Sequence, residues 1–485
     1  MKAGAEAPMQ PAWAGSEAGD CDRAQRSRRE PTRTVRAFVY VFVSLSLLGF
    51  LFTRLPGYSP CLGHRLPSAK PRSIEERVEQ ILTHTPLIDG HNDLAILIRL
   101  FYNNHIYNDT FTKPFTEGGL VGHVDIPRLK TGMYGGAFWS VYWPCPYNGT
   151  DLSDENYHPI VQSTLQQIDL LTRLRAAHPT VFSAPTLSAS AALEQFHASG
   201  RLISPLGVEG LHQIGNSAAT LRQYHALGVR YATLTHNCGN RFADAALWEG
   251  PLRKADPVWG GVSPAGRRLV REMNRLGMMV DLAHTSVDTM LDVLGLGAGR
   301  DGDGDGDGWE GSLAPVIFSH SSVHTICPHP RNVPDRVLDG VKRNGGLVMV
   351  NFSPGFVSCV ESGRKNGLPD FYPPNSTLQQ VVRHVMYIGK RIGFEHVGFG
   401  SDFDGIEDTP EGLEDVSKFP DLVAELLRQG VSDEDAAKVV GGNLLRVWKE
   451  VEAVAERMQK AGEPVLEDDL PELWSDEGRV LDREL

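Results

Sequence analysis

Cysteine is scarce, with six in 485 residues, too few for a disulfide scaffold. Basic runs are missing beyond the N-terminal arm and the formal charge is −13, which excludes nucleic acid as a partner. No glycine-rich dinucleotide loop is present, which argues against a doubly wound nucleotide-binding sheet. No hydrophobic run follows residue 462, so nothing there directs a C-terminal lipid anchor. What remains is ordinary for a globular enzyme: 41% hydrophobic and 22% charged residues, with length enough for a substantial core. Seventeen histidines are present, and their placement has to carry any functional argument.

Residues 37–53 read AFVYVFVSLSLLGFLFT, without a charge. Arg23, Arg26, Arg28, Arg29, Arg33 and Arg36 precede them, and Arg54 follows. Such a run is at the short edge of the spanning range, and the arginines orient its N-terminal flank toward the cytosol. Two outcomes fit: a retained signal-anchor, which the long basic arm favours, or a cleaved signal peptide that leaves a secreted enzyme. Either way the rest of the chain is lumenal or extracellular. Sequons at Asn108, Asn148 and Asn375 fit that compartment as glycosylation sites, and so would structural disulfides. The triplet at Asn351 is followed by Pro354 and falls on a buried strand end, so it is discounted.

The expected organisation is a disordered basic arm (1–36), a membrane segment (37–53), a Pro/Gly-rich stalk (54–72), a catalytic domain (73–461) and an acidic surface tail (462–485). Ordered structure begins with a helix over 73–85. Eight short apolar runs then follow, at 86–89, 135–143, 201–209, 229–236, 277–284, 314–320, 346–351 and 396–404. Several are separated by stretches of helical period, as in SPAGRRLVREMNRLG and DLVAELLRQG. Eight strands alternating with helices predict an α/β fold, a (β/α)₈ TIM barrel closed by helices around 433–458. DGDGDGDG at 301–308 lacks a complete calcium-loop pattern and is read as a surface insertion on the face opposite the active-site mouth.

Chemistry-bearing residues fall at the ends of these runs. His91 and Asp93 follow the first, Glu209 ends the third, His236 the fourth, His284 the fifth, His320 the sixth, and Asp402 lies at the eighth. One strand-end histidine is more often structural than a ligand. Six strand ends meeting at the C-terminal rim of a barrel are a site. Imidazoles and carboxylates without a thiolate suit zinc, leaving manganese and iron open. Two divalent ions on such a set would favour hydrolysis, although spacing alone does not say which residue bridges them.

Long ordered stretches then carry a resemblance. IDGHNDLA at 88–95, GGAFWSVYWPC at 135–145, GVEGLH at 207–212, LTHNC at 234–238, PVIFSHSSVHTICPHPRNVPD at 315–335 and GFGSDFDGIEDTPEGLEDVSKFPDL at 398–422 closely resemble the membrane dipeptidase (renal dipeptidase) family. The resemblance implies a zinc metallopeptidase cleaving free dipeptides with two zinc ions per subunit, bridged by Glu209 and a hydroxide. It assigns His91 and Asp93 to one zinc, His284 and His320 to the other. It makes His236 the substrate-side histidine that steadies the oxyanion, Arg331 the receptor for the dipeptide carboxylate, and Asp402 the proton carrier. It also pairs Cys145 with Cys238 and Cys327 with Cys359.

This chain departs from the family in places. Leu211 stands where Gly-Gly-His is usual, the 301–308 insertion is atypical, and no cysteine follows Cys359, so any homodimer would be non-covalent by that route. The expected anchor lies at the N-terminus rather than at the other end. The alternatives are a related amidohydrolase acting on β-lactams or Cys-Gly conjugates, and an inactive membrane-bound binding protein, against which the full ligand set argues.

Overall fold

The structure is a computed structural model and describes residues 72–297 and 309–470. The arm, the 37–53 segment, the stalk to residue 71, the Asp/Gly run and residues 471–485 lie outside the described residues. Among the described residues no helix is long and apolar enough to cross a membrane.

The eight apolar runs each contribute one strand, in the expected order. They are β1 (Leu87–Asn92), β2 (Tyr134–Val141), β3 (Leu206–Glu209), β4 (Val229–Thr233), β5 (Met279–Asp281), β6 (Ile317–Phe318), β7 (Leu347–Val350) and β8 (Val397–Phe399). All pair in parallel with their sequence neighbours in one eight-stranded sheet. Every strand residue is buried. That is why the runs are continuously apolar instead of alternating: both faces of a parallel sheet are covered.

The sheet closes where the chemistry is. Just past β8, the Asp402 N–H donates to the His91 carbonyl at 3.1 Å, and the Asp93 N–H donates to the Phe403 carbonyl at 2.8 Å. A parallel bridge between Asn92 and Phe403 joins the two ends. Barrel closure and the placement of His91, Asp93 and Asp402 are therefore one feature of the backbone.

Inside the barrel, alternate strand positions such as Ile88, Phe138, Tyr231, Met279, Ile317 and Met349 pack with Leu444, Trp448 and Val451 of the final helix, Asn443–Lys460. Phe138 sits 5.4 Å, ring to ring, from both Tyr231 and Trp448. Trp448 thus seals the end of the barrel opposite the ligands. The expected helix over 433–458 is interrupted by a π-helical turn, Lys438–Gly442. There Gly441 lies so close to the Pro86 carbonyl that a Cβ would sit 2.1 Å from its oxygen. Only glycine permits that approach.

Local signals explain the outer helices. Ser73 and Glu76 form a capping box on Ile74–His84. Ser263 caps Pro264–Leu276, whose end is set by Gly277 at φ 81°. The acidic tail is not free where it is described. Asp468 accepts from Ser217 Oγ and the Ala218 N–H, both at 2.7 Å, and so caps the helix Ala218–Ala226 from outside. Arg222 donates to the Leu466 carbonyl at 2.6 Å. The described part of the tail stays on the surface and is docked there through residue 468, because Asp468 meets orphan helix N–H donors.

Candidate metal centre

Five of the sequence-predicted residues converge at the C-terminal rim. Glu209 Oε1 lies 3.0 Å from His284 Nε2, 3.4 Å from His320 Nε2 and 3.7 Å from His91 Nε2. His91 Nε2 is 3.0 Å from Asp93 Oδ2. Asp402 shares one group of donors with His91 and Asp93, and Glu209 shares another with His236 and His284. His236 Nε2 is 4.0 Å from Glu209 Oε1, so it borders the same space.

The backbone is shaped for this. His284 and Asp402 are non-glycine residues at φ 63° and 67°, a region that costs energy and is retained where surrounding structure imposes it. Asp93 stands at the N-cap of the helix Leu94–Tyr102 but makes no capping hydrogen bond. Its Oδ1 is buried without a partner, so the side chain is turned to the centre instead of to its own helix. A Cβ on Gly405 would fall 2.2 Å from Asp93 Oδ2 and 2.8 Å from Asp402 Oδ1, which reserves that position for glycine.

The donor set fits metal ions. His284 Nδ1–H donates to Asn237 Oδ1 at 3.0 Å. His320 Nδ1–H donates to Ser319 Oγ at 2.8 Å, because that hydroxyl itself donates to Asp281 at 2.6 Å. Both rings therefore turn lone pairs toward each other, with the two Nε2 atoms 3.0 Å apart. Facing lone pairs repel unless a cation lies among them. The electrostatics agree. Burial, then neighbouring cationic groups, holds His284 and His320 well below the usual imidazole range, which keeps both rings neutral. Burial pushes the Glu209 carboxyl well up, opposed by His91 and reinforced by Asp93 and Asp402. Burial also disfavours charge on His91, yet Asp93 and Glu209 outweigh it and raise its pKa to about 10. The cluster draws in positive charge.

Arg331 is 1% exposed and its Nε, Nη1 and Nη2 have no hydrogen-bond partner. Its guanidinium carbon stands 5.2 Å from the Phe356 ring centroid. Burial lowers its pKa to about 10, while Asp402, Glu209 and Asp281 support its charge. A buried cation with five idle donors is costly unless a ligand supplies the anion.

Both expected disulfides are present, with Cα–Cα distances of 6.2 Å for Cys145–Cys238 and 4.9 Å for Cys327–Cys359. Cys145 Sγ lies 3.8 Å from His236 Nδ1, so the first bond braces His236. Leu211 is fully buried in the hydrophobic core and leaves the site alone. His212 Nε2–H donates to the Trp143 carbonyl at 2.8 Å, and burial lowers its pKa to about 4. His123 pairs with Asp404 at 3.1 Å, and Asp125 caps the helix Ile126–Thr131. Asn108, Asn148 and Asn375 are all exposed, whereas Asn351 is buried.

Asn351 has a task that the discounted sequon hid. Its Nδ2 donates to Asp402 Oδ2 at 3.0 Å. It directly follows β7, so the strand-end pattern could have found it. Tyr231, whose hydroxyl meets His91 Nδ1 at 2.8 Å, lies in the middle of β4, and Asp281, which holds Ser319, ends β5 but falls inside the apolar run 277–284, so neither carries such a signal. Asn351→Ala is expected to lower kcat roughly tenfold while leaving KM and metal content near wild type, since one hydrogen bond to a charged group is worth about 1.5–3 kcal/mol. Steady-state kinetics with metal analysis reads this out.

The fold and site define a metal-dependent hydrolase of the (β/α)₈-barrel class. Residues 75–462 match the family described as membrane dipeptidase, peptidase family M19. The chain is 46% identical over 394 residues to "Dipeptidase aclJ" of Aspergillus oryzae, covering 81% of this chain and 84% of that protein. It is 44% identical over 397 residues to "Dipeptidase tcpJ" of Claviceps purpurea, covering 82% and 84%. Among solved structures, a metallo peptidase from Rhodobacter sphaeroides liganded with a phosphinate mimic of L-Ala-D-Ala is 26% identical, with a TM-score of 0.59 over 76% of this chain and 99% of that one. The probable dipeptidase PvdM from Pseudomonas aeruginosa shares the fold at a TM-score of 0.64 and 21% identity, covering 80% of this chain and 100% of that one. The chain belongs to the membrane dipeptidase family of metallopeptidases.

Proposed function

We infer that the protein is a zinc dipeptidase hydrolysing the peptide bond of free dipeptides. The observation that carries this reading is Arg331: a buried, unpartnered guanidinium at a rim of metal-type donors. His91 and Asp93 would hold one ion, His284 and His320 the other, with Glu209 common to both. Zinc held by these residues would supply Lewis-acid polarisation of a carbonyl and a lowered pKa for a water.

The chain's own residues do the rest. Arg331 receives the terminal carboxylate in a two-pronged ion pair, and its burial limits substrate length, since further residues would displace the carboxylate from the clamp. His236 faces the carbonyl oxygen and steadies the charge that develops there. Asp402 carries the proton from water to the leaving nitrogen. Burial raises its pKa to about 6, against the pull of His91, with Asp93 reinforcing and Arg331 and Asn351 opposing. A carboxyl in that range can both accept and release a proton near neutrality.

The N-terminal run at 37–53 would place this domain in the lumen or outside the cell. Two disulfides and three exposed sequons support an oxidising, glycosylating compartment. A panel of free dipeptides, C-amidated dipeptides, tripeptides and a β-lactam tests the reading. Turnover confined to substrates with the carboxylate next to the cleaved amide is expected. Equal cleavage of amidated dipeptides would overturn it, and a preference for the lactam would favour the related amidohydrolase.

A further inference from the structure

A free dipeptide is a zwitterion, and the assignments above leave its α-ammonium without a partner. Most carboxylates near the centre are committed. Asp93 and Glu209 face the imidazoles, and Asp402 is held by Asn351. Asp404 is held by His123, and Asp281 by Thr233 and Ser319. Asp89 is held by Tyr134 and Ser401.

Glu249 differs. Its side chain is 43% exposed and its Oε2 lies 3.5 Å from His236 Nδ1. That contact, ahead of the opposing effect of burial, holds its carboxyl below the usual range, so it is an accessible anion at neutral pH.

Its position is fixed. The pairs Leu247–Lys254 and Trp248–Arg253 form a short antiparallel hairpin, and Glu249 opens the turn between them. At its base, the Ala246 N–H donates to the carbonyl of His284 at 2.7 Å, and the Lys254 N–H donates to the Asn366 carbonyl at 2.8 Å. Trp248 covers Gly149 so closely that a Cβ there would lie 2.7 Å from the indole. The hairpin is thus bolted to the backbone of a predicted ligand.

Tyr142 supplies a second wall. Its ring is 4.8 Å from that of His236. Tyr142 and Glu249 thus flank the same imidazole. A carboxylate beside an aromatic ring is what a primary ammonium seeks. In a dipeptide one Cα separates the α-nitrogen from the scissile carbonyl. The dipeptidase reading places the carbonyl oxygen at His236 Nε2, and Glu249 stands at the Nδ1 edge of the same ring.

We propose that Glu249, with Tyr142 beside it, receives the substrate's α-ammonium and sets a requirement for a free N-terminus. This rests on the dipeptidase reading. The test uses the metal-loaded protein and two competitive ligands, a phosphinate dipeptide mimic and its des-amino counterpart, with affinities measured by calorimetry. Wild type should bind the amino form roughly 10- to 100-fold more tightly, the value of a contact between charged groups. Glu249→Gln should bind the two nearly alike by losing affinity for the amino form only, and Glu249→Lys should invert the preference. Equal weakening of both ligands would mean that Glu249 acts through His236, and an unchanged preference would mean that it does nothing; either overturns the proposal. Wild-type protein that binds neither ligand would overturn the dipeptidase reading along with it.

Discussion

Glu209→Gln is expected to cut kcat/KM for a dipeptide by about 10³-fold or more, because a bridge to two ions underlies several kcal/mol of transition-state stabilisation. The side chain keeps its size and one acceptor, so the barrel should stay folded. Its Oε1 lies within 3.0–3.7 Å of three predicted imidazole ligands. Loss of the carboxylate charge should therefore reduce occupancy at both positions together. Circular dichroism alongside metal analysis separates this from unfolding. Retention of one firmly bound ion at wild-type affinity would show that Glu209 serves a single position.

The second large effect is expected at Arg331. Arg331→Met removes both prongs of the carboxylate contact, and kcat/KM for free dipeptides should fall by roughly 10²–10³-fold. C-amidated dipeptides, which never used the clamp, should be cleaved no worse than before. Stability should move the other way. The guanidinium is buried and unpartnered in the ligand-free protein, and methionine fills similar space without an uncompensated charge. Denaturant unfolding of the variant should therefore begin no earlier than that of wild type. Arg331→Lys should fall between the two in activity, since an ammonium keeps the charge but not the planar fork. A variant that lost stability and activity in parallel would instead make Arg331 a structural cation.

The barrel was legible because its strands are buried on both faces, so each left a compact apolar run in the sequence. Their ends marked the rim, and polar residues at those ends could be read as a site before any coordinates. His91 and Asp93 show the limit of that reading. The first run was taken to end at Asp89, but β1 continues through Asn92, because backbone pairing with Phe403 extends the strand through polar residues.

Other parts left no periodic trace. The hairpins at Leu247–Lys254 and Cys359–Phe371 have strands of two residues each, too short to show alternation. Glu249 was invisible for that reason. The supports behind the ligands were hidden differently. Tyr231 lies in the middle of β4 and Asp281 ends β5 within the run 277–284, so both read as parts of a run. Only tertiary structure shows Asp281 orienting His320 through Ser319, or Tyr231 meeting His91. Acidic composition marks the tail as surface, but not its docking, because the partner of Asp468 is a helix N-terminus about 250 residues away.

The central claim is a two-ion centre that cleaves dipeptides. Its most direct test is a metal titration of chelator-stripped protein, following bound zinc by elemental analysis and dipeptide hydrolysis in the same samples. The account predicts no activity in the stripped protein and full recovery only as binding approaches two ions per chain. Full activity with one ion or none would contradict it.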